Sequence, residues 1–185
     1  MKKDAPFNWD RNCQIAFEEM KRYLLSPPVL TAPVQGKPLI LYIATLEGSL
    51  GAMLGQVNEQ GAETACYYLS RTMVQAEHNY SPMEKICLAL SFAVLKLRHY
   101  LLAHTVKLIS KADPVKHLLK QPVLTGRLGK WALQLAEFDI YYVPLKAVKG
   151  QAIADFLAAH PIAHDSSLNN ISEEDADSLM TDIPC

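Results

Sequence analysis

The middle of the sequence contains Ser81-Pro82-Met83-Glu84, which is the signature of a helix N-terminus. Ser81 suits the N-cap, proline is favoured at the first helical position, and Glu84 at the third position completes a capping box. An apolar run follows and extends through Tyr100 over much of the helix circumference. The pattern predicts one long helix that packs against a sheet.

Short β-rich segments and further helices surround this long helix. The strand candidates are residues 39–43, 50–57, 64–69, 106–110 and 138–143, and the first three form a meander. The other helix candidates are residues 10–25 with Asp10 as N-cap, 113–119, 126–136 and 150–160. This order predicts an α/β fold, in which a mixed five-stranded sheet with packed helices is preceded by an N-terminal helix.

The charge balance of the chain differs along its length. The 185 residues contain 18 Lys and Arg against 19 Asp and Glu, and half of the residues are hydrophobic, which is enough for one globular core. From Pro161 onward there are six acids and no Lys or Arg, which leaves 13 acids against 18 bases before it. The sequence therefore predicts a mildly basic body with a net charge of +5 and an acidic, disordered tail or linker.

The cysteine and hydropathy patterns exclude several classes of protein. The four cysteines are scattered and form no C-x-x-C pair, so neither a disulfide framework nor a zinc ribbon is expected. No apolar run reaches the roughly 18 residues that a membrane helix needs, and the N-terminus does not resemble a signal peptide. We expect an intracellular protein, cytoplasmic or nuclear, with no membrane partner.

Eight ordered segments between Phe7 and His160 carry a family resemblance. They are Phe7-Asn8-Trp9 with Ala16-Phe17, Pro28-Val29-Leu30, Gly51-Ala52-Met53-Leu54, Tyr68-Leu69-Ser70-Arg71, Asn79-Tyr80-Ser81-Pro82-Met83-Glu84-Lys85, Leu97-Arg98-His99-Tyr100-Leu101, Gly126-Arg127-Leu128-Gly129-Lys130-Trp131 and Ala154-Asp155-Phe156-Leu157. Together they resemble the ribonuclease H-like region that follows the reverse transcriptase in gypsy-type LTR retrotransposon polyproteins. Val148-Lys149-Gly150-Gln151-Ala152 is similar to plant elements in particular.

The resemblance implies a domain layout. Residues 1–36 would be an N-terminal helix and connection, residues 37–160 a ribonuclease H-like domain, and residues 161–185 the acidic tail. Because Met1 lies just upstream of the first family segment, we expect the chain to be a fragment of a larger polyprotein. A reverse transcriptase domain would precede it, and a second, active ribonuclease H could follow the tail.

The resemblance also implies which residues would form a catalytic site. Ribonuclease H cleaves the RNA strand of a hybrid with two magnesium ions held by converging carboxylates. In this sequence the four family positions are occupied by Ala44, Glu84, Lys111 and Asp155. Only Glu84 and Asp155 match the family pattern. We therefore expect no metal and no cofactor, with magnesium required only under the alternative of an active hybrid ribonuclease.

Structural roles could also explain the residues at these positions. The capping box explains Glu84 without a metal, and we hypothesise that Lys111 forms an ion pair with Asp155 in the former metal site. Glu47 and Asp113 are nearby in sequence and could replace the missing ligands. However, Glu47 is predicted on the opposite strand face, and Asp113 is predicted to cap a helix.

Three functions remain open from the sequence. The leading interpretation is an inactive tether that lies beside an RNA–DNA hybrid, with weak, salt-dependent contacts from Arg98, Arg127 and Lys130. The alternatives are an active metal-dependent endonuclease and a host protein that uses the fold as an interaction module. Trp131 and Tyr100 are interpreted as core residues.

Overall fold

A computed structural model describes residues 30–120, 126–144 and 149–161 and, before them, residues 10, 11, 13–15, 17, 18 and 21. The chain forms two compact units, Met1–Thr31 and Ala32–Cys185. In the first unit, helix α1 contains the helical residues 11, 13–15, 17, 18 and 21. Asp10 Oδ1 accepts a hydrogen bond from the Cys13 N–H at 2.7 Å, which confirms the predicted N-cap. The remainder of the predicted helix, up to residue 25, lies outside the described residues.

The second unit is built on a mixed sheet of five strands. The strands are β1 (Leu39–Thr45), β2 (Ser49–Val57), β3 (Glu63–Thr72), β4 (Val106–Ser110) and β5 (Ile140–Pro144). Their spatial order is β3-β2-β1-β4-β5. The first three strands pair antiparallel as a meander, whereas β4 runs parallel to both β1 and β5. The predicted α/β fold with a mixed five-stranded sheet is confirmed.

Six further helices follow in the described parts of the chain. They are α2 (Gln75–His78), α3 (Pro82–Lys96), α4 (Arg98–Leu101), α5 (Pro114–Leu119), α6 (Gly126–Leu135) and α7 (Lys149–Ala159). The capping box at the start of α3 and the Asp113 cap of α5 are confirmed. In the described ranges, no helix has both the length and the apolar character that crossing a bilayer requires.

Several bounds of the predicted elements differ from the structure, and three of the differences have a clear structural reason. The long helix ends at Lys96 rather than at Tyr100, because Leu97 adopts φ −106° and ψ 13° and separates α3 from α4. Both helices bury apolar residues in one core, so the apolar pattern continues across the break. The sequence did not predict α2, which is too short to show periodicity. Finally, β5 begins at Ile140 rather than at residue 138, because Phe138 is 9% exposed in the core and its N–H bonds to Leu135 O.

Helices cover the two faces of the sheet differently. On one face, Leu39, Leu41 and Ile43 of β1 belong to a core that also includes α3 and Trp131. Trp131 is 8% exposed and is a core residue as predicted, whereas Tyr100 is partly buried and packs against this core. The opposite face carries α7, which packs on β1, β2 and β3.

The approach of α7 to the sheet depends on a glycine in β2. A β-carbon at Gly51 would lie 2.5 Å from Ala158 N and 2.7 Å from Ala154 O. Because these are backbone atoms of the helix, a larger residue at this position would force α7 away from the strand. Gly51 therefore fixes the position of the helix that carries Asp155.

Candidate functional site

Two of the four predicted site positions lie at the carboxyl ends of neighbouring parallel strands. Ala44 is in β1 and is 5% exposed, whereas Lys111 directly follows β4 and is exposed. Tyr42 of β1 is paired with Ile109 of β4, so two residues further along each chain Ala44 and Lys111 reach the same end of the sheet. A methyl group and an ammonium group thus occupy the positions where the family pattern has carboxylates.

Asp155 is linked to β1 by Gln151, a residue for which no role was predicted from the sequence. The Gln151 Nε2 donates hydrogen bonds to Asp155 Oδ1 and to Ile43 O, both at 3.2 Å. Gln151 is 5% exposed, and it lies one turn before Asp155 in α7. The two N–H groups of one amide therefore tie the Asp155 carboxylate to the backbone of β1. The i, i+4 spacing was the signal that could have indicated this pair.

Glu84 takes part in three hydrogen bonds. Its Oε2 accepts from the Ser81 N–H at 2.9 Å, and its own N–H donates to Ser81 Oγ at 3.3 Å. Its Oε1 accepts from Arg127 Nη2 at 2.7 Å. The Ser81 N–H, with Arg127 adding to it, holds the pKa of Glu84 below its usual value. The capping interpretation is confirmed, and the Arg127 partner was not predicted.

The Glu84 contacts predict a specific pH dependence of stability. Because its pKa is lower in the folded than in the unfolded state, its contribution is present above the unfolded pKa of about 4.3 and is lost as the pH falls through the folded value. We expect Glu84→Ala to lower the free energy of unfolding by about 1 kcal/mol at neutral pH, from the lost cap, and by less below pH of about 4. Urea unfolding over a pH series measures this. Glu59→Ala is the control, because Glu59 is exposed and is in none of the ion pairs between described residues, and a Glu84→Ala effect that does not change with pH would contradict the assignment.

Arg127 is fixed on the protein surface by more than this ion pair. Its guanidinium carbon lies 3.9 Å from the Tyr80 ring centroid and 5.7 Å from that of Trp131. Guanidinium groups stack favourably on aromatic rings, so the ring contacts add to the charge contact. Arg127 therefore holds a positive charge beside Glu84, one of the two remaining family carboxylates.

The hypothesis of a Lys111–Asp155 ion pair was wrong. Among the described residues the ion pairs within 4 Å are Arg71–Glu77, Arg98–Glu137 and Arg127–Glu84. Lys111 extends into solvent, and the Gln151 amide takes the place beside Asp155 that the hypothesis gave to the lysine. A neutral amide satisfies the carboxylate there without the desolvation of a second charge.

Glu47 and Asp113, the two carboxylates that could have replaced the missing ligands, have other positions and roles. Glu47 is exposed in the turn between β1 and β2, where its backbone carbonyl accepts a hydrogen bond from Lys85 Nζ at 2.7 Å. Asp113 Oδ1 accepts from the Lys116 N–H at 2.9 Å and thereby caps α5. The predicted role of Asp113 as a helix cap is confirmed.

The donor set does not fit two magnesium ions. Magnesium prefers a nearly octahedral shell of oxygen ligands that includes carboxylates. Within the described ranges no three His, Cys, Asp or Glu side chains form a group that could hold a metal. The buried Gln151 Oε1 has no hydrogen-bond partner there, but it is a neutral oxygen and replaces neither missing carboxylate. The residues at this site therefore lack the charge and the number of ligands for a pair of divalent ions.

The three predicted nucleic-acid contacts differ in their surroundings. Arg98 forms an ion pair with Glu137 and lies 5.8 Å from the Phe138 ring centroid. Arg127 is paired with Glu84. Lys130 is exposed on α6 and takes part in none of the ion pairs between described residues.

A glycine and a tyrosine position the first turn of α7, and the sequence analysis did not assign them a role. A β-carbon at Gly150 would lie 2.4 Å from the Tyr42 ring. The Tyr42 hydroxyl donates a hydrogen bond to Glu63 Oε2 at 2.9 Å, and burial raises the pKa values of both Tyr42 and Glu63. The helix start that carries Gln151 and Asp155 is therefore packed directly on the ring of Tyr42.

Comparison with known proteins identifies the family. Residues 34–138, more than half of the chain, match the family described as "RNase H-like domain found in reverse transcriptase". The chain belongs to this family. The N-terminal limit of the match lies just before β1 of this RNase H-like domain, and its C-terminal limit lies just before β5.

Relatives of this RNase H-like domain are retrotransposon polyproteins. The chain is 29% identical over 185 residues to the Retrovirus-related Pol polyprotein from transposon opus of Drosophila melanogaster, covering 96% of this chain and 18% of the polyprotein. It is 31% identical to the corresponding polyprotein from transposon 297 of the same organism, covering 89% of this chain and 15% of that one. It is also 31% identical to the Transposon Tf2-3 polyprotein of Schizosaccharomyces pombe, covering 93% and 14%. The chain thus spans less than a fifth of the length of these relatives.

Solved structures support the same fold. The native prototype foamy virus protease-reverse transcriptase superposes with a TM-score of 0.55 at 14% identity, covering 79% of this chain and 20% of that chain. The foamy viral protease-reverse transcriptase in complex with an RNA/DNA hybrid gives 0.54 at 19% identity, covering 78% and 20%. At this identity the similarity concerns the fold alone. These structures therefore support the RNase H-like fold of the chain.

Proposed function

We propose that this RNase H-like domain is catalytically inactive and serves as a tether beside nucleic acid in the Pol polyprotein of a gypsy-type element of the plant type. The observation that carries the proposal is the replacement of two family carboxylates by Ala44 and Lys111 at adjoining strand ends. The fold around these positions is intact. Under this proposal the domain retains the architecture of a ribonuclease H but lacks two of its four metal-binding carboxylates.

Charge arithmetic supports inactivity. Two magnesium ions carry four positive charges, whereas Glu84 and Asp155 supply two negative ones, of which that of Glu84 is already paired with Arg127. The Lys111 ammonium adds a like charge at the same end of the sheet. A like charge at this end of the sheet opposes the entry of a divalent ion rather than helping to hold it.

The relatives support a place inside a larger polyprotein. They are named as Pol polyproteins, and the chain matches less than a fifth of each. We infer a reverse transcriptase domain upstream and a second ribonuclease H downstream, with residues 161–185 as the connecting linker. The domain would then set the distance between two catalytic units.

Contact with a hybrid would be weak under this proposal. The net charge of +5 over residues 1–160 is modest, and Arg98 and Arg127 are already paired with carboxylates. Lys130 remains as an exposed base, and such contacts weaken steeply with salt.

Cleavage of a labelled RNA–DNA hybrid by the full chain tests the proposal. We expect no magnesium-dependent products from the unmodified chain. Magnesium-dependent products that Asp155→Asn abolishes would instead show an active endonuclease with unusual ligands. A stable complex of the chain alone with a host protein, with no polymerase attached, would point to an interaction module.

A further inference from the structure

The edge of the sheet at β5 carries an open surface formed by two adjoining grooves. One groove lies between α5 and β5 and is lined by Val115, Lys116, Leu119 and Lys120 among others. The other is lined by residues that include Lys37 and Lys107. Tyr141 lines both grooves and joins them. We call the two grooves together the β5 edge surface.

Among the described residues, no strand or helix covers the outer edge of β5, and the surface beside it is partly apolar. Among the described strands β5 pairs only with β4, and none of its five residues is buried. Leu119 is 68% exposed and Tyr141 is 41% exposed. An unpaired edge strand presents backbone N–H and C=O groups that an extended segment can bind. The surface therefore combines open backbone groups with exposed apolar side chains.

The charge of this surface is strongly one-sided. Lys37, Lys107, Lys116 and Lys120 line the grooves, whereas the carboxylate among the lining residues is Asp113. Asp113 already accepts the Lys116 N–H as the cap of α5. The β5 edge surface is therefore complementary to a negatively charged partner.

We propose that the β5 edge surface binds residues 171–183 of the same chain as an extended acidic segment. From Pro161 onward the sequence has six acids and no Lys or Arg. Five of these acids fall between Ile171 and Ile183, together with the apolar residues Leu179 and Met180. Acidic side chains would face the lysines, and apolar side chains would cover Leu119 and Val115.

The chain length after α7 permits this binding. Glu173 is 12 residues beyond Pro161, so an extended connection reaches about 40 Å. A domain of this size has a radius of gyration of about 14 Å. The connection is therefore almost three times as long as this radius, so the segment can reach a large part of the domain surface.

An acidic peptide fits this surface better than a nucleic acid does. No arginine is among the described residues that line the two grooves, although arginine is the residue that pairs most specifically with phosphate. The exposed Leu119 and the half-buried Val115 offer apolar contacts that a phosphate backbone does not use. An open strand edge likewise favours a polypeptide.

Paramagnetic relaxation in the full chain tests this proposal. A nitroxide attached to Cys185 in a Cys13→Ser variant is close to the acidic segment, whereas Cys66 and Cys87 are 7% and 0% exposed. Burial also raises the pKa of Cys87 to about 12, so its thiol resists labelling. We expect low-salt loss of amide peak intensity at Tyr141, Lys116 and Lys120, and recovery of these peaks at high salt.

Charge-reversal variants and a mixing experiment test whether the broadening comes from binding within one chain. Lys116→Glu with Lys120→Glu should abolish the broadening, and Lys130→Glu, an exposed lysine of α6 outside both grooves, should leave it unchanged. Absent or uniform broadening would overturn the proposal. Isotope-enriched chains without a nitroxide can be mixed with nitroxide-labelled chains. Broadening of peaks from the isotope-enriched chains would show that the surface binds the segment of a second copy. If a single-stranded oligonucleotide displaces the segment and shifts the amide peak of Tyr141, the β5 edge surface is a nucleic-acid site. Binding to a second copy or to nucleic acid would each overturn the proposal of binding within one chain.

Discussion

Replacing Arg71 by alanine is expected to lower the free energy of unfolding by roughly 3 to 5 kcal/mol, because it removes the positive charge that is paired with a buried carboxylate. Arg71 Nη1 and Nη2 donate to Glu77 Oε2 and Oε1, each at 2.7 Å, and the two residues are 7% and 9% exposed. Nη1 also donates to Thr72 O at 3.0 Å, and Glu77 Oε2 accepts the Val74 N–H at 2.9 Å. The guanidinium lies 5.0 Å from the Phe92 ring centroid. The pair therefore ties the end of β3 to α2 and to α3.

Two further variants make this prediction specific. Arg71→Lys should recover little of the loss, because an ammonium cannot form the paired contacts of a guanidinium. Arg98→Ala breaks an ion pair whose partners are both 45% exposed, so we expect a loss of about 1 kcal/mol or less. Chemical unfolding of the three variants measures the comparison. Equal losses for Arg71→Ala and Arg98→Ala would contradict the structural role of the buried pair.

Gly51→Ala is expected to lower the free energy of unfolding by about 3 kcal/mol, at the upper end of overpacking effects. The new methyl group would meet the backbone N of Ala158 at 2.5 Å and the carbonyl O of Ala154 at 2.7 Å. A backbone atom cannot rotate away as a side chain can, so α7 would have to shift as a unit. The shift would also loosen the Gln151 contact that holds Asp155.

Gly48→Ala is the matched control for this prediction. Its β-carbon would lie 2.9 Å from Cε1 of His78, an exposed side chain that can turn aside. We expect an effect within about 0.5 kcal/mol, as for ordinary surface changes. Similar losses for the two alanine variants would contradict the close packing of α7 on β2.

Local sequence signals were sufficient for most of the fold. The β-rich segments and the caps at Ser81 and Asp113 depend on residues close together in the chain, and the structure confirms them. The break at Leu97 was missed because α4 continues the apolar pattern of α3 into the same core. Periodicity reports which residues are buried, and it does not report a change of backbone direction between two buried segments.

The contact partners of the four site positions are what the sequence did not predict at the site. The positions of Ala44, Glu84, Lys111 and Asp155 followed from a family pattern, but their partners did not. Arg127 meets Glu84 across 43 residues of sequence, and no periodicity links the two. The Lys111–Asp155 hypothesis failed because Gln151 is in the same helix as Asp155 and is one turn away, whereas Lys111 is at the end of another strand.

Hybrid cleavage by the full chain tests the central claim most directly. The chain and its Asp155→Asn variant would be incubated with a labelled RNA–DNA hybrid and magnesium, with an active ribonuclease H as the control for the substrate. Because Ala44 and Lys111 replace two metal-binding carboxylates, the account predicts no magnesium-dependent products from either form of the chain. Magnesium-dependent cleavage by the unmodified chain that is lost in Asp155→Asn would contradict it.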